Sequence, residues 1–423
     1  MGEKLDSPEF RSIWNDELNY LFDLFEKNSF EIRIAGGAVR DLLMGFKPND
    51  IDLATTATPD QMKDMFDNEN IRMLHTNGEK HGTITVRLND KENFEITTLR
   101  IDLITDGRHA EVQFTNDWKL DANRRDLTIN SIFLDRDGTI IDFFDGYEDI
   151  KNKRIKFVGE PSRRIQEDYL RILRYFRFYS RICINENSHC EESLKAIKEN
   201  ASGLEGIAGE RIWVEFRKIV CSKYADSIMR HIVDTQVHKY IGFTDSCDLE
   251  EFSQIYRYFD ADLQNIPMPI TMVCALLRTS KEFEKLLKRM RFSNEEKRIA
   301  EFLFRYRDEY KKIVSEEDNK SLEDKLKPFK FILVDCVKDA KIHEKLIELL
   351  KYVNRFEFVK HLENWPIPNF PIGGEMLSKK NIPKGPIFSK ILNILRENWK
   401  NEFNLDTSKE TIDKLLNKLD ELI

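Results

Sequence analysis

Cysteine, histidine and long apolar runs are all scarce in this chain, and each shortage closes off a class of function. The six cysteines (Cys183, Cys190, Cys221, Cys247, Cys274 and Cys336) are scattered without C-x-x-C spacing, which argues against a disulfide framework and a cysteine-built zinc site. A reducing compartment is the simplest setting: the cytoplasm, or the mitochondrial matrix if a transit segment has been removed from a precursor. Eight histidines and no His-Asp pair in the C-terminal part disfavour a metal-dependent phosphohydrolase. No apolar stretch is long enough to span a bilayer, and Met1-Gly2-Glu3-Lys4 does not open a signal peptide, so no membrane partner is expected. No repeat of fixed period occurs. Positive charge is short as well: the net charge of −8 would, taken alone, argue against a nucleic-acid partner.

What is present is a globular composition, 41% hydrophobic and 34% charged, over 423 residues. That length exceeds one core and predicts two to four domains. The charge is unevenly spread. Residues 151–181 hold ten Lys and Arg against Glu160, Glu167 and Asp168, a local excess of +7 inside an acidic protein. Such a surface can bind phosphates whatever the whole chain carries.

The hydrophobic period changes along the chain. Ser7-Pro8-Glu9 reads as a helix start, with Phe10, Ile13, Trp14, Leu18, Leu21, Phe22 and Phe25 on one face. From about 31 to 145 the period is two. Thr83–Val86 and Phe94–Thr97 read as paired strands joined around Asn89-Asp90-Lys91, and 131–134 with 139–142 as a hairpin turned by Asp137-Gly138. Between these hairpins, Asp102 to Asp121 is polar, contains Asp106-Gly107-Arg108 and lacks a clear period, so a long mobile loop is expected there. After Gly146 the pattern is helical at 165–181, 209–220, 225–233, 282–290 and 295–310, with proline-containing breaks at 265–270 and 364–371. This order predicts an α+β fold, a mixed-sheet N-terminal part followed by all-α domains.

Several short motifs carry chemistry. Glu31-Ile32-Arg33-Ile34-Ala35 alternates like a half-buried strand, and Gly36-Gly37 lets the backbone turn sharply into a helix from Ala38 to Met44. A glycine turn at a helix start offers N–H groups and a positive dipole end, which suits a triphosphate. Asp50 and Asp52 sit two apart in a second strand-like run, so both carboxylates project from one face while Ile51 and Leu53 point into the core. Anions held that close repel unless a divalent cation lies between them. Glu95 points away from Phe94 and Ile96, and adds a third carboxylate if its face is that of Asp50 and Asp52. Arg125, Asp126 and Asn130 are suited to hydrogen-bonding a ribose. Asp168 and Arg171, three apart on the predicted 165–181 helix, set an acceptor beside donors, the complement of a base's pairing edge. At 100° per residue Arg174 then falls on the flank and Arg177 about half a turn away, the weakest of the set. Gly209-Glu210-Arg211 through Glu215 reads as a helix start whose charges brace neighbours, a structural element. Each feature alone has a plainer reading: a simple turn, a solvated strand end, an exposed glutamate, a salt-bridged helix start, a solvated ion pair.

In order along the chain, Gly36-Gly37…Arg40-Asp41…Asp50-Ile51-Asp52, Arg124-Arg125-Asp126…Asn130, Asp142…Gly146…Asp149, Glu167-Asp168…Arg171…Arg174 and Gly209-Glu210-Arg211 resemble the motifs of CCA-adding tRNA nucleotidyltransferases of the bacterial/eukaryotic class, within the polymerase β-like superfamily. The resemblance covers residues 31 to about 215 and, more loosely, the tail around Gly385-Pro386 and 391–399; Ile150 stands where leucine is usual. It implies a catalytic head (1–145), a neck with a nucleotide-selecting helix (146–220), a helical body (221–330) and a helical, tRNA-binding tail (331–423). It implies that Asp50 and Asp52 hold Mg2+ with Glu95 as third carboxylate, and that Gly37 and Arg40 contact the triphosphate. Arg125, Asp126 and Asn130 would meet its sugar and phosphates, and Asp168 and Arg171 would pair with the base of CTP or ATP, supported by Arg174 and Arg177. The Asp102–Asp121 segment would be the element needed when selection changes from CTP to ATP. The implied reaction is template-independent addition of CCA to the 3′ end of tRNA, by a monomer or weak dimer. A poly(A) polymerase, a CC-only or A-only enzyme of the same superfamily and a non-catalytic RNA-binding protein are the rivals, the last disfavoured by the retained carboxylates.

Overall fold

Asn15 divides the first helical stretch. The apolar face predicted from Phe10 to Phe25 is carried by two helices, Pro8–Ser12 and Asp16–Lys27, because the Asn15 side chain accepts the Leu18 N–H and starts the second one afresh. The computed structural model describes residues 3–75, 78–105, 110–186, 188–244, 247–259, 265–317, 319–380 and 386–418. Two compact units are formed, Met1–Tyr256 with Ala275–Ser293, and Arg257–Cys274 with Asn294–Ile423.

The first unit contains a seven-stranded mixed sheet. Its strands are β1 (Ile32–Ala35), β2 (Asp52–Thr55), β3 (Arg72–His75), β4 (Thr83–Leu88), β5 (Glu92–Thr98), and, after β6 (Arg100–Thr105) and β7 (Ala110–Phe114), β8 (Phe133–Leu134) and β9 (Ile140–Ile141). The order is β3-β4-β5-β2-β1-β8-β9, with β2 and β5 parallel and the other neighbours antiparallel. Ile84, Val86, Phe94 and Ile96 are buried on one face, which sends Glu95 to the other. The β4–β5 turn places Asn89 and Asp90 at φ of +51° and +55°, the left-handed pair of a tight hairpin.

The segment expected as a long mobile loop is ordered in its described parts. Arg100–Thr105 and Ala110–Phe114 pair as an antiparallel two-stranded sheet, and Trp118–Asn123 is a helix capped by Asp117. Its register shifts between Asp102 and Ile104, and such a bulge interrupts the period-two alternation that would mark a strand in sequence. Asp106, Gly107 and Arg108 lie outside the described residues.

The predicted 165–181 helix is likewise two, Pro161–Glu167 and Arg171–Ile182. Asp168 is extended at φ −154°, ψ +105°; its carboxylate accepts the Leu170 N–H and its carbonyl the Arg171 N–H, so a short polar side chain ends one helix and starts the next. Helices Gly209–Ile219, Ala225–Asp234 and Ser280–Arg289 follow the predicted periodicity, the last with a Thr279/Glu282 capping box.

The second unit is helical, with Asn294–Ser315, Leu322–Asp335, Ile342–Tyr352, Pro386–Asn401 and Lys409–Asn417 among its helices. Leu377, Leu395, Trp399 and Leu415 form its buried core toward the C-terminus. Among the described residues no helix is long and apolar enough to cross a membrane.

Candidate active site

One cavity of about 1190 Å³ in the first unit collects all twelve site residues expected from sequence: Gly37, Arg40, Asp50, Asp52, Glu95, Arg125, Asp126, Asn130, Asp168, Arg171, Arg174 and Arg177. Its volume exceeds the usual range for a single small ligand, leaving room for a nucleotide and the end of a second substrate.

The acidic wall comes from the sheet. Parallel pairing of β2 with β5 sets Asp52 directly beside Glu95, and Asp50 lies two residues before the start of β2. All three carboxylates are exposed to the cavity. Solvent reaches Asp52, yet the wall displaces bulk water around it; that burial, then the charges of Glu95 and Asp50, raise its pKa, with Arg125 opposing. A wall of oxygen donors that repel one another suits a hard divalent cation. Mg2+ is such a cation, taking one or two carboxylates and completing its shell with water and phosphate; among the described residues no group of three or more His, Cys, Asp or Glu side chains is arranged to hold a metal ion by itself.

The turn beside this wall depends on Gly36, at φ +62° and ψ −119° before the Gly37–Leu43 helix, a conformation open to glycine alone; a Cβ there would also lie 3.0 Å from Arg125 Nη1. Arg40, on that helix, is buried; it donates through Nη1 to Asn130 Oδ1 at 2.7 Å and pairs with Asp41. Asn130 donates to Asp126 Oδ1, whose other oxygen accepts from Arg174 Nε at 2.6 Å. Burial opposes the Asp126 charge, but Arg174 and these hydrogen bonds outweigh it and hold the carboxyl down at about 2. The guanidinium groups of Arg40, Arg174 and Arg177 lie 4.7, 5.6 and 4.3 Å from the centre of the Phe178 ring, so one aromatic side chain helps to hold three like charges together.

The side chains of Asp168 and Arg171 do not bond to each other and do not share a helix face; the one bond between the residues is the backbone hydrogen bond from the Arg171 N–H to the Asp168 carbonyl. Each is fixed by a different partner. Asp168 Oδ2 accepts from Arg211 Nη2 at 2.7 Å, and Arg171 Nη1 pairs with Glu167 at 2.7 Å and bonds the Arg164 carbonyl, while its Nη2 reaches the Arg124 carbonyl at 2.9 Å. Arg177, expected half a turn away from Asp168, lines the same cavity and pairs with Glu215 at 2.9 Å. The angular argument fails because Asp168 precedes the helix that carries the arginines.

Residues 32–156 match the family model described as Poly A polymerase head domain, and 190–242 that described as Probable RNA and SrmB- binding site of polymerase A. The chain is 49% identical over 397 residues to human CCA tRNA nucleotidyltransferase 1, mitochondrial, covering 94% of this chain and 89% of that protein. It belongs to the CCA tRNA nucleotidyltransferase family. The zebrafish member is 47% identical, with 94% and 90% covered. The fold is that of solved CCA-adding enzymes: the Bacillus stearothermophilus enzyme in complex with CTP aligns at a TM-score of 0.71 and 23% identity over 99% of both chains. The Thermotoga maritima enzyme complexed with tRNA_CCA aligns at 0.68 and 20% identity over 97% of this chain and 98% of that one.

This member of the CCA tRNA nucleotidyltransferase family also holds cavity residues to which the sequence reading assigned no substrate contact. Arg100, Arg124, Phe178, Arg181, Arg211 and Lys218 line it too. Asp121, 1% exposed, accepts from Arg124 Nε at 2.8 Å, Arg125 Nη2 at 3.0 Å and the Arg100 N–H at 3.1 Å. The signal available in sequence was its spacing: Asp121 stands three and four residues before Arg124 and Arg125 at the end of a helix.

Proposed function

We propose that the protein adds C, C and A in turn to the 3′ end of tRNA, using CTP and ATP without a nucleic-acid template. The observation that carries this reading is the meeting of Asp50, Asp52 and Glu95 with Asp168 and Arg171 in one cavity of a chain 49% identical to human CCA tRNA nucleotidyltransferase 1, mitochondrial, over 94% of its length. Asp50 and Asp52 hold Mg2+, with Glu95 as the third carboxylate. Bound there, Mg2+ would favour ionisation of the terminal 3′-hydroxyl and offset the charge of the triphosphate and the departing diphosphate. Gly37 and Arg40 orient the triphosphate, and Arg125, Asp126 and Asn130 its sugar and phosphates. The RNA 3′-oxygen attacks the α-phosphate, and the bond from that phosphorus to the bridging oxygen breaks.

Base choice follows from donor and acceptor order. Cytosine and adenine each present an amino donor beside a ring-nitrogen acceptor, whereas uracil and guanine present a carbonyl beside an N–H. Asp168 as acceptor and Arg171 as donor match the first pair and oppose the second. Because Arg211 and Glu167 fix the two side chains separately, their spacing is set by protein rather than by each other. Arg174 and Arg177 support that edge. We assign 1–145 to the head, 146–220 to the neck, 221–330 to the body and 331–423 to a tRNA-binding tail, in a monomer or weak dimer acting in the cytoplasm or the mitochondrial matrix.

The description of the matching head-domain model as that of a poly(A) polymerase keeps repeated AMP addition as the second reading. The test of the metal site is incorporation of labelled CTP and ATP into tRNA ending before CCA, with Mg2+. Asp52→Ala should abolish it, and extension by that variant would overturn the assignment.

A further inference from the structure

Ten cationic side chains line the cavity against five acidic ones, yet the excess is not shared evenly. Nine of the ten, all arginines, are ion-paired to a carboxylate. Lys218 is the one lining cation without such a pair among the described residues. It sits on the Gly209–Ile219 helix seven residues after Arg211 and three after Glu215, hence on the face that braces Asp168 and Arg177. Glu215 is buried and committed to Arg177. The Lys218 side chain is exposed, so its ammonium is open to whatever enters. Its surroundings press for a counter-ion: burial against the wall, then the charge of Arg177, lower its pKa, Glu215 opposes them, and Arg217 and Arg174 add further repulsion. A compact ammonium with rotatable donors suits a phosphate as a point charge, where the paired guanidinium groups around it already have carboxylates to answer.

We propose that Lys218 is a substrate-binding residue that takes a phosphate group in the cavity, making the helix expected to be purely structural a part of the substrate site. The phosphate comes either from the nucleoside triphosphate or from a phosphodiester at the RNA 3′ end, and the inference rests on the function proposed above. The test uses the full chain with Lys218→Ala and Lys218→Arg, measuring dissociation constants for CTP and, at several salt concentrations, for tRNA ending before CCA. A rise of roughly tenfold in the CTP constant alone, restored by the arginine variant, supports the site and identifies the triphosphate. A weaker tRNA complex whose log–log salt slope is shallower by about one supports it and identifies the RNA phosphate. Dissociation constants within about twofold of wild type for both ligands overturn the proposal. The melting temperature should not move, because Lys218 has no ion-pair partner to lose. A wild-type chain that binds neither ligand overturns the reading of the reaction together with this site, so the two failures look different.

Discussion

At Asp126, burial favours the neutral carboxyl and the Arg174 guanidinium at 2.6 Å reverses that preference. A carboxyl held at about 2 in the folded state, against about 3.9 unfolded, contributes stability that is fully present above the unfolded value and is lost as pH falls through the folded one. Asp126→Asn should therefore destabilise the first unit by about 2 kcal/mol at neutral pH, by leaving Arg174 without its counter-ion. In urea unfolding, the gap between variant and wild type should narrow as pH is lowered from 5 towards 2. Asp52 has the opposite sign. A raised carboxylate costs stability at neutral pH, so Asp52→Asn should raise the melting temperature in metal-free buffer. Added Mg2+ should then stabilise the wild type and leave the variant unmoved; an equal Mg2+ shift in both would remove Asp52 from the metal site.

Among the elements, the β6–β7 hairpin is tied to the cavity through Asp121, which holds the Arg100 amide with one oxygen and Arg125 with the other. Asp121→Asn should cost about 3 kcal/mol and raise hydrogen exchange at the base of the hairpin, around Arg100. Exchange that increases uniformly over the sheet instead would show that Asp121 acts only on global stability. The junction between the Pro161–Glu167 and Arg171–Ile182 helices has its own constraint: a Cβ on Gly203 would lie 2.0 Å from Cε1 of Tyr169, the neighbour of Asp168. Gly203→Ala should shift that junction and lower the ratio of kcat/KM for CTP over UTP by about tenfold, through misplacement of base-pairing groups. These elements also show what was legible in sequence. The double glycine, the alternation of β4 and β5, and the carboxylates of β2 depend on local spacing and were readable as such. The β6–β7 sheet was not, because its order comes from cross-strand pairing while a bulge disturbs its alternation. Nor was the break at Asp168, where one carboxylate–amide hydrogen bond outcompetes a helical pattern running through it on both sides.

Across the whole molecule, a chain of net charge −8 places a strongly basic cavity inside an acidic protein. The +7 segment at 151–181 divides between the cavity and the surface, where Lys151, Arg154 and Arg163 are exposed. Arg171, Arg174, Arg177 and Arg181 turn into the cavity, while Lys151, Arg154, Lys156 and Arg164 are ion-paired. Pairing fixes the geometry of these side chains, and the cavity's excess of cationic over acidic side chains draws in phosphates. The twelve site residues come from strands, turns and helices spread from Gly37 to Arg177, and which of them share a wall was not readable from spacing, since register and helix junctions decide it. The central claim is that one cavity selects first cytosine, then adenine, by protein side chains alone. It is tested most directly by following single-nucleotide extension of tRNA ending before CCA, with Mg2+ and CTP alone, ATP alone, or both. The account predicts two additions with CTP alone and exactly one further AMP when ATP is also present. Repeated addition of AMP, or no use of CTP, would contradict it.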